Sequence, residues 1–205
     1  MKVIAINGSP KPKGNTYSAL KTACDELEKQ NIATEIIHVG HMDIKGCISC
    51  GRCKEGQCVF SDEKLREIVD KIHATDAILL GSPVYYASIA GTMKCFLDRL
   101  FFPSQGRMRL KVGASVAVLR RSGGVTTFDQ LNNYFLISEM IVAPSYYWNA
   151  IHGGAPGEIL EDAEGICVLK NLANNMAWML NMKEYCKDTF PVPSPVERTW
   201  TNFIR

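Results

Sequence analysis

Lys2-Val3-Ile4-Ala5-Ile6-Asn7-Gly8-Ser9-Pro10-Lys11-Pro12-Lys13-Gly14-Asn15-Thr16 leads into a segment carrying Leu20, Ala23, Cys24 and Leu27. Val3 to Ile6 is an apolar run expected to be a strand. The four later residues recur at i, i+3, i+4 and i+7, the stripe of an amphipathic helix. A strand that feeds a Gly-, Ser- and Lys-rich turn into a helix makes an anion cradle. The free N–H groups of the first helical turn point at the loop, and the helix dipole adds partial positive charge. Gly8 and Gly14 let the backbone come close. Ser9, Asn15 and Thr16 offer side-chain donors, and Lys11 and Lys13 offer charge.

Spacing excludes two familiar loops. Five residues separate Gly8 from Gly14, and Asn-Thr follows instead of Lys-Ser/Thr, so this is not an ATP loop. Gly-x-Gly-x-x-Gly does not occur, so a dinucleotide fingerprint is absent. What remains is a loop sized for one terminal phosphate, as on FMN. An ordinary capped turn would not need Pro10 and Pro12 to stiffen so long a connection.

The chain has 205 residues, enough for one domain (1–205) with a full core, and 46% of them are hydrophobic. Net charge is +2 with acids and bases interspersed, so neither nucleic acid nor a membrane surface is an expected partner. No apolar run approaches the ~20 residues of a membrane span. Met1-Lys2 leads straight into a strand, so no signal peptide is expected and the expected location is cytoplasmic. Eight cysteines in a reducing compartment suggest metal or redox chemistry before structural disulfides.

Further along, Ala33 to Val39 reads as strand 2. Ser61-Asp62-Glu63 opens a helix with Leu65, Ile68, Val69 and Ile72 on one face. Asp76 to Leu80 is strand 3, followed by Gly81-Ser82-Pro83-Val84-Tyr85-Tyr86. Ile89, Met93, Phe96, Leu97 and Leu100 mark the next helix. Val112 to Leu119 is strand 4, and Arg120-Arg121-Ser122-Gly123-Gly124 follows it. Phe128, Leu131, Tyr134 and Phe135 mark a fourth helix, and Met140 to Ala143 a fifth short strand. Pro144 to Pro156 reads as a long loop, and Ile166 to Leu180 as the final helix.

Strands alternating with helices imply right-handed crossovers and a parallel sheet covered on both faces. The expected fold is α/β and flavodoxin-like: a doubly wound five-stranded sheet of order 2-1-3-4-5 with helices on both faces. Its ligand crevice lies at the carboxyl ends of the strands. The loops after strands 1, 3 and 4 then lie side by side. The first suits a phosphate. Pro83, Val84, Tyr85 and Tyr86 sit where a flat ring system would lie, and Ser122, Gly123 and Gly124 let main-chain N–H groups approach a ring edge. Core packing is the alternative for either tyrosine, and a simple turn for the glycines.

Residues 40–61 form a cysteine-rich insertion after strand 2, longer than most connections in compact domains. Cys47, Cys50, Cys53 and Cys58 read C-x2-C-x2-C-x4-C. Consecutive thiolates at this spacing resemble the opening of bacterial ferredoxin ligand sets, which hold a 4Fe–4S cluster. Gly46, Gly51 and Gly56 relieve the backbone so that sulfurs can turn inward. Zinc is a rival, although zinc sites usually present separated pairs. Free thiols or disulfides are a second alternative. Cys24, Cys95 and Cys167 lie in helices and read as structural, while Cys186 stays open. In a 2-1-3 order this insertion leaves the sheet at the phosphate-loop edge, which would bring a cluster near a flavin in its own subunit or a neighbour.

The Gly8–Thr16 loop, Gly81-Ser82-Pro83-Val84-Tyr85-Tyr86 and the compact cysteine run together resemble the iron–sulfur flavoprotein family. That family is a branch of the NAD(P)H-dependent FMN reductase group. The resemblance implies that Ser9, Lys11, Asn15 and Thr16, around Gly14, bind the FMN phosphate. It implies that Pro83 to Tyr86 line the flavin ring, that Ser122 to Gly124 close its far side, and that Cys47, Cys50, Cys53 and Cys58 ligate the cluster. It further implies homodimers pairing into tetramers, a ferredoxin-like donor or NAD(P)H, and a small-molecule acceptor. No side chain need serve as nucleophile or general acid. His152 is the one histidine considered for contact with a reductant or substrate, against the plainer reading of a surface histidine.

Residues 184–205 read as a tail with Pro191, Pro193 and Pro195, then Trp200, Phe203 and Ile204. It is too proline-rich for a helix and too apolar to stay in solvent, so it packs on its own subunit or clasps a neighbour. Three functions stay open on the residues alone. The first is an FMN oxidoreductase with a 4Fe–4S cluster. The second is an NAD(P)H-dependent FMN or quinone reductase without one. The third is a non-enzymatic flavodoxin-like electron carrier.

Overall fold

An uninterrupted apolar run forms a strand buried on both faces, because parallel strands are covered by crossover helices above and below. In the computed structural model this holds for β1 (Lys2–Asn7), β3 (Ala77–Pro83) and β4 (Val112–Leu119), with Ile4, Ile78 and Val116 inaccessible to solvent. The structure describes residues 1–104 and 106–203, so Ile204 of the expected tail lies outside the described residues. β2 (Ala33–His38) is the edge strand and is only partly covered. The helices are α1 (Asn15–Glu28), α2 (Glu63–His73), α3 (Gly91–Ser104), α4 (Gly124–Ile137) and α5 (Ala163–Cys186).

Strand order is β2-β1-β3-β4-β5 with β5 at Ile141–Val142, and every pairing is parallel. This is the doubly wound, flavodoxin-like order expected from the sequence. One core layer packs α1 and α5 on the sheet through Leu20, Leu27, Leu169, Leu172 and Met176. The other packs α2, α3 and α4 through Ile68, Ile72, Phe96, Leu97 and Phe135.

The fifth strand differs from the sequence reading. It is split: β5 pairs Val112 and Gly113, the chain leaves the sheet, and β6 (Ala150–His152) rejoins β4 at Ala117–Leu119. Pro144 has no N–H to continue the ladder. Tyr146, Tyr147 and Trp148 swing out to solvent, and buried Asn149 returns the chain, its carbonyl accepting from Ala117 N at 2.9 Å. Three residues are too few for periodicity to show, so the sequence reads β6 as loop.

Cys24 is buried on α1, as expected. Cys167 is a correction: it is exposed, because Val168, Leu169 and Leu172 turn the apolar face of α5 away from it. α5 continues through Cys186, and beyond it Phe190, Val192, Val196, Trp200 and Phe203 are exposed on this chain. No helix among the described residues is long and apolar enough to cross a membrane.

Asp162 ties β6 to α5. Its carboxylate accepts from Gly165 N at 2.9 Å, capping the helix, and from His152 N at 2.7 Å. Burial pushes this carboxyl up, but those hydrogen bonds and the His152 ring win and hold it below its ordinary value. A depressed native value contributes stability above the unfolded carboxylate range, and that stability is lost as pH falls through the native value. Asp162→Ala is therefore expected to lose about 1 kcal/mol at neutral pH. In urea unfolding, the wild-type and variant stabilities should converge in acid.

Candidate functional site

The carboxyl edge of the sheet gathers the loops after β1, β2, β3, β4 and β6. Asn7, fully buried at the end of β1, organises the first. Its Oδ1 accepts from Ser9 N at 3.0 Å and its Nδ2 donates to Pro12 O at 3.2 Å. Its carbonyl accepts from Val39 N and Gly40 N, which locks the β2 exit onto the same loop. Ser9 Oγ accepts from Lys11 N at 3.2 Å. Ser9 and Thr16 are buried, whereas Lys11 and Lys13 reach solvent. α1 opens at Gly14 with no side-chain cap, so its first-turn amides are left for an anion.

Asn15 has a second partner. Its Nδ2 donates to Ala155 O at 2.9 Å and its Oδ1 accepts from Gly157 N at 2.7 Å. The side chain thus latches the loop after β6 to the start of α1. His152 stands on β6 beside that loop and pairs with Asp162.

Across the switch point, β3 ends at Pro83, and Val84 N still donates to Val118 O of β4 at 2.9 Å. Tyr85 and Ser88 then exchange backbone hydrogen bonds around Tyr86 and Ala87, at φ of 50° and 56°. Two left-handed positions make the tight turn that suits a short hairpin. Tyr86 is fully exposed and Tyr85 nearly half exposed, so neither is a core residue. Gln130 of α4 braces this turn, its Oε1 accepting from Ser88 Oγ at 2.7 Å and Ile89 N at 3.2 Å. Gly123 closes on it from the other side. With φ of 87°, its missing Cβ would lie 2.9 Å from Ala87 Cα and from Val84 Cγ1. The loops after β3 and β4 therefore touch.

The cysteine loop starts at this edge and then leaves it. Helices here run antiparallel to the strands, so their C-terminal ends lie at the opposite edge. A Cβ on Gly56 would meet His73 at the end of α2 and Arg107 beyond α3. Cys47 lines a cavity of about 610 Å³ with Phe102, Gly106 and Met108. The connection is thus long enough to cross the helical flank, with Gly56 beside the C-terminal end of α2.

Within the loop, Ser49, Gly51, Glu55 and Gly56 take positive φ. Lys54 and Gln57 form a small bridge, Gln57 Nε2 reaches Asp70 at 2.7 Å, and Arg99 donates to Phe60 O at 3.3 Å. Burial and the neighbouring sulfurs of Cys58, Cys50 and Cys47 push the Cys53 thiol up. The Arg52 amide pulls the Cys50 thiol down. Among the described residues no three Cys, His, Asp or Glu converge to hold a single metal ion. Four cysteines and nothing harder are a donor set that a 4Fe–4S cluster takes, and that a structural zinc ion takes as well.

Residues 1–155 match the family described as NADPH-dependent FMN reductase. An iron–sulfur flavoprotein of Methanocaldococcus jannaschii is 37% identical over 191 residues, covering 89% of this chain and 98% of the relative. The chain belongs to the iron–sulfur flavoprotein branch of the FMN reductase family. A family member from Methanosarcina thermophila is 26% identical over 92% of this chain and its own full length. Among solved structures, RosB with a bound intermediate superposes with a TM-score of 0.70 at 16% identity, covering 100% of this chain and 94% of RosB. A flavodoxin from the domain Archaea gives 0.60 at 18%, covering 88% and 99%. Such likeness speaks for the fold alone. For this iron–sulfur flavoprotein-family chain, sequence reading singled out the phosphate loop, the tyrosines and the glycine turn. It missed Asn7 as anchor, Gln130 as brace and the Asn15 latch, since each acts through a hydrogen bond between distant segments.

Proposed function

We propose that this chain is an FMN-dependent oxidoreductase of the electron-transfer kind. Ser9, Gly14 and Thr16, with the first-turn amides of α1, would hold the FMN phosphate, and Lys11 and Lys13 would add charge from solvent. Asn15 would contribute its amide while its side chain keeps the β6 loop in place. Pro83 to Tyr86 would flank the ring, with Ser122, Gly123 and Gly124 closing the far side. The observation that carries this reading is the meeting, at one sheet edge, of an uncapped helix N-terminus with two touching turns.

Cys47, Cys50, Cys53 and Cys58 would bind a 4Fe–4S cluster. When bound, FMN exchanges one or two electrons and a cubane cluster one, so together they join pair transfer to single steps. The protein's part is to hold both groups and screen them from water. The cysteine loop lies toward the far edge from its own chain's phosphate loop, which supports transfer between subunits of a homodimer or tetramer. The exposed aromatic tail supports the same assembly. A ferredoxin-like protein is the donor in this reading and a small molecule the acceptor.

The family description favours a second reading, in which NADPH reduces the flavin directly. Anaerobic purification with absorption spectra, iron and sulfide analysis separates the two. Iron and sulfide with a broad band beside the flavin peaks supports the cluster. Flavin without iron, together with steady NADPH oxidation, supports the second reading. Turnover with a small acceptor and no protein partner would count against a pure carrier.

A further inference from the structure

We infer that His38 is a positioning residue for the phosphate loop, an inference that rests on the FMN reading above. His38 is the last residue of β2 and pairs in register with Asn7 of β1. Its Nε2 lies 2.6 Å from the carbonyl oxygen of Ser9. A carbonyl only accepts, so this ring nitrogen carries the proton and donates. The ring is half-buried and stacks on His41, with centroids 4.2 Å apart and planes 21° apart.

Ser9 is thereby held from three sides. Asn7 Oδ1 takes its N–H, His38 takes its carbonyl, and its own hydroxyl takes Lys11 N. Only 5% of Ser9 is exposed, so its environment is largely closed to water. Losing the His38 donor would leave a largely buried acceptor short of a partner, which costs more than the bond itself contributes. The Ser9 peptide would turn, and with it the hydroxyl and the amides around the phosphate position. His38 belongs to β2, whereas the flanking turns belong to β3 and β4. Its effect should therefore fall on the phosphate end of the cofactor and spare the ring.

FMN and riboflavin separate the two ends, since riboflavin carries the same ring without the phosphate. Flavin-free protein is titrated with each by fluorescence quenching, for wild type, His38→Phe and His38→Gln, with melting temperatures recorded. Phenylalanine keeps the stack on His41 without a donor, and glutamine keeps a donor. The expected result is an FMN Kd about fivefold higher in His38→Phe, riboflavin Kd unchanged, and recovery in His38→Gln. Equal weakening of both flavins would mean a merely structural role and would overturn the inference, as would an unchanged FMN Kd. Wild-type protein that fails to prefer FMN over riboflavin would instead overturn the phosphate-loop reading itself, and the inference with it.

Discussion

Cys53→Ala is expected to abolish iron and sulfide binding while FMN stays bound. Burial, and then the nearby sulfurs of Cys58, Cys50 and Cys47, push the Cys53 thiol up. A cubane cluster takes one thiolate per iron from the protein, so a missing ligand leaves one iron open to solvent and oxidation. The flavin loops draw no hydrogen bond from residues 46–58 among those described, so they should keep their geometry. Iron per subunit should fall from about four to near zero. The flavin absorbance should remain with a one-to-one stoichiometry. Loss of both together would mean that the two sites are one folding unit, and full iron retention would mean that Cys53 is not a ligand.

Gly40→Ala is expected to weaken FMN binding by roughly tenfold to a hundredfold. An added Cβ would lie 2.1 Å from the Ser9 carbonyl oxygen, 2.3 Å from its carbon and 2.5 Å from the Gly8 oxygen. All three are backbone atoms, so no side chain can swing aside. Either the β2 exit or the phosphate loop must move. Overpacking of this kind costs about 1–3 kcal/mol, and each 1.4 kcal/mol is tenfold in affinity if it falls on the bound state. The exit also carries Val39 N and Gly40 N to Asn7 O, so the loop is the part with room to yield. Fluorescence titration with FMN and a thermal melt, run together, read the effect. An unchanged Kd would show that the loop does not depend on this contact.

These two positions mark what a sequence can and cannot show. The cysteine run and the Gly8–Thr16 loop are local: their chemistry is written in neighbouring residues, and both were legible. So were β1, β3 and β4, whose apolar runs meet the demand of a sheet covered on both faces. Gly40 reads only as the end of a strand. Its need for no side chain arises from Ser9, 31 residues earlier in the chain, once β1 and β2 lie side by side. His38 and Gln130 were illegible for the same reason. β6 was hidden because Ile151 is the one fully buried apolar side chain in a three-residue strand. The course of the cysteine loop could not be read because its contacts with His73 and Arg107 depend on how a segment without periodicity crosses the helices.

In the proposed function, the turn after β1 holds a flavin by its phosphate. Titration of flavin-free protein with FMN tests it most directly. Saturable quenching of flavin fluorescence at one FMN per chain is expected, with riboflavin binding more weakly. Protein that leaves the fluorescence of excess FMN unchanged, and stays colourless after gel filtration, would contradict it whatever the cysteines hold.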